Sequence, residues 1–81
     1  MGKYTFFLEY DGKKSSSSAY QHPEDIIVAD QITEAINKFC SKNKLALNHY
    51  DPLMDEGYRI YLKEKKLGKR REKIYYVEVS L

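Results

Sequence analysis

The residues able to do chemistry in this chain are mostly cations, and they are crowded. Between Lys63 and Lys73 stand seven basic residues, Lys63, Lys65, Lys66, Lys69, Arg70, Arg71 and Lys73, against only Glu64 and Glu72, a local charge of +5. The rest of the chain carries 7 basic and 10 acidic residues, so the net charge of +2 conceals a dipolar molecule. Charge placed this way orients a protein toward a polyanion more strongly than its total suggests.

Other reactive types are sparse. His22, Cys40 and His49 show none of the short spacings that hold zinc. Cys40 falls on the apolar stripe of a predicted helix, where a thiol is packed and inert rather than held as a reactive thiolate. Asp51, Asp55 and Glu56 are acids of a surface connection, and nothing around them marks one for general acid–base work. The chain has no Walker loop, no GxGxxG and no GxSxG. These residues point away from an enzyme, a metal site or a cofactor.

The basic run needs a scaffold, and its flanks supply one. Tyr58, Ile60 and Leu62 alternate with Arg59, Tyr61 and Lys63, while Tyr75, Val77, Val79 and Leu81 alternate with Ile74, Tyr76, Glu78 and Ser80. A turn around Leu67-Gly68 sets Ile60 opposite Tyr75 and Tyr58 opposite Val77. A slip of one residue would move an entire apolar set to the wrong face, so this register is preferred. On the other face it sets Arg59 opposite Tyr76, Tyr61 opposite Ile74 and Lys63 opposite Glu72.

Upstream, Lys3 to Tyr10 reads as a strand with Tyr4, Phe6, Leu8 and Tyr10 on one face and Lys3, Thr5, Phe7 and Glu9 on the other. Asp11-Gly12 suits a tight turn. The segment 13–20, with four consecutive serines, is either a returning strand or a loop. In residues 21–30, Pro23, Glu24 and Asp25 resemble a helix start, whereas Ile26-Ile27-Val28 is β-branched and Asp30 is a candidate N-cap. Ile32, Ala35, Ile36, Phe39 and Cys40 then form one helical stripe, which predicts a helix over about 31–42 with Asn43 as its left-handed cap. Residues 43–56 read as a connection pinned by Leu45, Leu47, Leu53 and Met54.

The resulting expectation is a single domain over 1–81 of the α+β class: an antiparallel sheet of three to four strands, in β-(β)-α-β-β order, with one helix packed on one face. No apolar run approaches the roughly 18 residues of a membrane span, the start lacks the apolar core of a secretory signal, and a single cysteine fits a reducing, cytoplasmic setting.

A basic hairpin backed by aromatic residues is a physically sensible surface for RNA or single-stranded DNA. Cations neutralise phosphates and release counterions, and rings on an open sheet face stack on unpaired bases. The candidate contacts are Arg59, Tyr61, Lys63, Lys65, Lys66, Lys69, Arg70, Arg71 and Tyr76. KIYYVEVSL does not match the RNP1 pattern, so low sequence specificity is expected. The alternative is a small interaction or inhibitor protein that docks on an acidic or other protein surface through its sheet face or edge, or pairs with a second copy. Tyrosine is a common interface anchor, and an open edge invites pairing.

Overall fold

The computed structural model describes residues 2–15, 21–65 and 71–80. The turn expected at Leu67-Gly68, the serine run from Ser16 onward, and the candidate contacts Lys66, Lys69 and Arg70 lie outside them. The class is α+β: β1 (Gly2–Tyr10), β2 (Asp25–Ala29), α1 (Ile32–Asn43), β3 (Leu45–Pro52), β4 (Tyr58–Glu64) and β5 (Glu72–Ser80). The strands form one five-stranded antiparallel sheet in the order β2-β1-β5-β4-β3. After β2 the chain passes through α1 to the opposite edge, and the β3-β4-β5 meander then returns to the centre beside β1.

The terminal hairpin has the register its alternation dictates. Tyr58 pairs with Val77, Arg59 with Tyr76, Ile60 with Tyr75, Tyr61 with Ile74, and Lys63 with Glu72. The helix buries its stripe on the face this register builds. Phe6, Ile36, Phe39, Ile60, Leu62 and Val77 are fully enclosed, each stabilising the fold by about 1.5–3 kcal/mol relative to exposure. Phe6 and Phe39 stack with ring centres 4.2 Å apart, and Tyr75 meets Phe39 edge-on at 4.9 Å.

Several expectations give way. The sheet has five strands rather than three or four, because residues 45–52 form β3 instead of a connection. Its alternation is masked in the sequence by a bulge: Leu47 pairs with Leu62 but His49 with Tyr61, leaving Asn48 as the extra residue. Leu45 is buried, but Leu47 is partly exposed and Met54 stands wholly in solvent, so neither of these two pins the segment as expected. β1 pairs with the β-branched stretch 25–29; of 13–20 only 13–15 are among the described residues, and there Ser15 bridges to Tyr10. A second bulge, at Glu9, moves Tyr10 off the face of Leu8 and opposite Ile74.

The helix ends also differ from expectation. Gln31, not Asp30, is the N-cap, with an extended backbone and no side-chain cap; Glu34 reaches back to accept the Asp30 N–H at 2.8 Å. At the other end Lys44 (φ 55) takes the left-handed position and donates its N–H to the Cys40 carbonyl, while Asn43 Nδ2 donates to the Phe39 carbonyl at 2.9 Å. The Lys44 N–H thereby satisfies a carbonyl that the last turn would otherwise leave open, and the Asn43 side chain adds a donor to the Phe39 carbonyl.

Candidate nucleic-acid interface

The topology adds to the basic hairpin what the sequence kept apart. β1 is antiparallel to β5, so the end of β1 and its turn lie beside the start of β5. A Cβ placed on Gly12 (φ +97) would come within 3.0 Å of Arg71 Cβ, which fixes the proximity of this turn to the hairpin root. The turn carries Lys13 and Lys14, whose N–H groups both donate to Asp11 Oδ1 at 2.8 Å. These two donors, aided by the charge of Lys73, hold the Asp11 carboxyl below its ordinary pKa of 3.8.

On the other side of the hairpin, β3 starts beside the end of β4. Leu45 pairs with Glu64, and the Lys65 N–H donates to the Lys44 carbonyl at 3.4 Å. The helix C-terminus therefore delivers Lys42 and Lys44 to the same end of the sheet. Of the fourteen lysines and arginines, three (Lys66, Lys69, Arg70) lie outside the described residues; of the eleven that remain, Lys13, Lys14, Lys42, Lys44, Lys63, Lys65, Arg71 and Lys73 share this end. The opposite end holds Asp30, Glu34, Asp51, Asp55, Glu56 and Glu78, with Lys3 among them.

Two shallow recesses open at the basic end. One, of about 290 Å³, is lined by Asn43, Lys44, Leu45, Glu64 and Lys73. The other, of about 400 Å³, is lined by Ala46, Lys63, Glu64 and Lys65. Glu64 lies in both and stands 3.9 Å from Lys73 Nζ, and Lys42 Nζ lies 2.8 Å from Asp25. Lys13, Lys14, Lys44, Lys63 and Lys65 are exposed and Arg71 is half-buried.

On the sheet face away from the helix, Thr5 and Phe7 are buried, and the other side chains are not uniformly available. Arg59 crosses β5 to reach β1, donating from Nε to Glu9 Oε1 at 2.9 Å and from Nη2 to Oε2 at 3.3 Å. Tyr76 stacks on Phe7 at 6.1 Å and donates its hydroxyl to Asp55 Oδ2 at 2.7 Å. Tyr61 stacks instead on His49, with ring centres 4.1 Å apart and planes 13° from parallel. Of the six candidate residues described, Arg59, Tyr76 and, through His49, Tyr61 are thus engaged within the molecule. Tyr61, Lys63, Lys65 and Arg71 gather at or beside the basic end.

What sequence reasoning missed are Lys13, Lys14, Lys42, Lys44 and His49. Only the pairing of β1 with β5 and of β3 with β4 brings them in, and no local pattern announces either pairing. Cys40 is buried on the helix, and burial pushes its thiol pKa up, which keeps it protonated and unreactive. Among the described residues no three His, Cys, Asp or Glu side chains come together as metal ligands, and no helix is long and apolar enough to cross a membrane.

Comparison with protein-family models, with curated proteins and with solved structures returns no match in any of the three.

Proposed function

We propose that this protein is a non-enzymatic binding module that holds RNA or single-stranded DNA, with little sequence specificity, at the basic end of its sheet. The observation that carries this reading is the convergence there of cations from three separate parts of the chain: the turn after β1, the helix C-terminus and the β4–β5 hairpin. Asp25 and Glu64 offset Lys42 and Lys73, and a polyanion would meet the exposed Lys13, Lys14, Lys44, Lys63 and Lys65. Each phosphate neutralised also releases condensed counterions, which favours binding entropically. A single cysteine, buried, suits a reducing cytoplasmic setting.

A second reading, docking on a protein partner or on a second copy, draws on Ile26 and Val28, each about half exposed on the face of β2 away from the helix. Weighing against it, both sheet edges carry features that discourage strand addition. Lys38 Nζ donates to the Val28 carbonyl at 3.1 Å, Asp25 Oδ1 accepts the Ile26 N–H at 2.8 Å, and β3 is bulged at Asn48 and ends in Pro52.

Titration of labelled single-stranded RNA and DNA at two salt concentrations tests the proposal, with Lys69, Arg70 and Arg71 changed together to Glu as the comparison. Micromolar binding that weakens steeply with salt and is lost in the triple variant is expected. Salt-insensitive or absent binding, with a dimer on a sizing column, would favour the second reading.

A further inference from the structure

The bulge in β3 has a chemical consequence. With an unbroken register after the Leu47–Leu62 pair, Asn48 would stand opposite Tyr61 and His49 opposite Ile60, on the helix side. The extra residue at Asn48 instead turns the imidazole to the face away from the helix, where it lies flat against Tyr61. Pairing the two rings leaves the His49 side chain 55% exposed on an edge strand. Asp51 Oδ2 stands 3.8 Å from His49 Nε2, and Asn48 Nδ2 donates to Glu72 Oε2 at 3.2 Å, spanning β4 on the same face.

Immediately toward the basic end, Lys63 follows Tyr61 by two residues on β4, and Ala46, its pairing partner, occupies the matching place on β3. The small Ala46 side chain leaves the recess of about 400 Å³ whose walls are Lys63, Glu64 and Lys65. A flat π-surface thus adjoins a space ringed by two lysines and a carboxylate, with further cations beyond. Tyr76, a further tyrosine of this face, is held differently, by Asp55 and Phe7.

We propose that the His49–Tyr61 pair is a stacking platform for one unpaired base of a single strand whose phosphates run along the basic end. This rests on the polyanion reading above and deepens it: the cations attract any phosphate chain, while the platform selects one with exposed bases. Aromatic stacking on a base is tolerant of its identity, because every base has a π-face. A duplex keeps its bases stacked inside and gains nothing from the platform.

The test compares four probes: a short single strand, the same strand with abasic sites, a blunt duplex, and inorganic polyphosphate. Each is titrated against the unaltered protein and against Tyr61→Ala, His49→Ala and Tyr61→Trp. The chain has no tryptophan, so the indole introduced by Tyr61→Trp would be a lone fluorophore at the platform. The unaltered protein is expected to prefer the intact strand over the abasic one on the order of tenfold. Both alanine variants should lose that preference while holding polyphosphate as before. Tyr61→Trp should keep it, with emission quenched by the intact strand and not by polyphosphate. Equal affinity for intact and abasic strands, or a tryptophan indifferent to bases, would overturn the platform while leaving polyanion binding intact. Failure of every probe, polyphosphate included, would remove both.

Discussion

Arg59 on β4 reaches over β5 to hold Glu9 on β1 through two hydrogen bonds, of 2.9 and 3.3 Å. A residue whose position on the open face marks it for ligand binding is thus a strut that ties three neighbouring strands. Its partner sits at the β1 bulge, where the extra residue swings the carboxylate across the sheet.

Arg59→Ala should therefore leave nucleic-acid affinity essentially unchanged. The pair is partly open to solvent, so its loss should lower stability by about 1 kcal/mol or less. Denaturant unfolding and a binding titration on the same variant separate the two effects. A large loss of affinity with unchanged stability would restore Arg59 to the binding surface.

Tyr75 is 5% exposed, and burial pushes its phenol from 10.0 up to about 12. The folded protein holds this proton more tightly than the unfolded chain does. The associated stabilisation is complete below pH 10 and is lost as pH rises through about 12. Tyr75→Phe keeps the edge-on contact with Phe39 and should show a shallower loss of stability over that interval, read by denaturant melts at stepped pH. An identical alkaline decline in the variant would assign the effect elsewhere.

Asp55 behaves in the opposite sense. Its carboxylate accepts the Tyr76 hydroxyl and the Gly57 N–H, and these hydrogen bonds, the tyrosine's first, hold its pKa below 3.8. The stabilisation is present above that ordinary value and is lost as pH falls through the lowered one. Tyr76→Phe should return the Asp55 titration toward 3.8, as followed by the carboxyl resonance in NMR.

The same corner has no room for a larger residue at Gly57. An added Cβ would stand 2.8 Å from both the Tyr76 hydroxyl and the Val77 carbonyl. Gly57→Ala should cost about 1–3 kcal/mol by overpacking, and denaturant unfolding measures it. An unchanged midpoint would mean that the β3–β4 turn shifts freely.

The sequence discloses those parts of the fold in which period-two alternation is unbroken. In β4 and β5, Ile60 and Leu62 against Tyr75 and Val77 leave one register that buries both sets, and the structure has it. The helix is legible for the same kind of reason, from Ala35, Ile36, Phe39 and Cys40. Alternation failed as a guide where a bulge interrupts it: Asn48 hid β3, and Glu9 sent Tyr10 to the other face. β2 is only five residues long and runs directly into the helix start, so Ile26-Ile27-Val28 competed with Pro23, Glu24 and Asp25. Of the candidate interface, the hairpin cations were visible because they are contiguous. Lys13, Lys14, Lys44 and His49 were not, because long-range strand pairing alone brings them there.

That pairing supplies the most direct test of the account, which is the salt dependence of single-strand affinity in variants remote from the hairpin. Lys13→Ala and Lys44→Ala, taken singly, should each reduce the slope of log affinity against log salt by about 0.7 in magnitude, the share of one phosphate contact on a single strand. Slopes unchanged in both variants, or an unaltered protein whose affinity does not respond to salt, would contradict a basic end that acts as one surface.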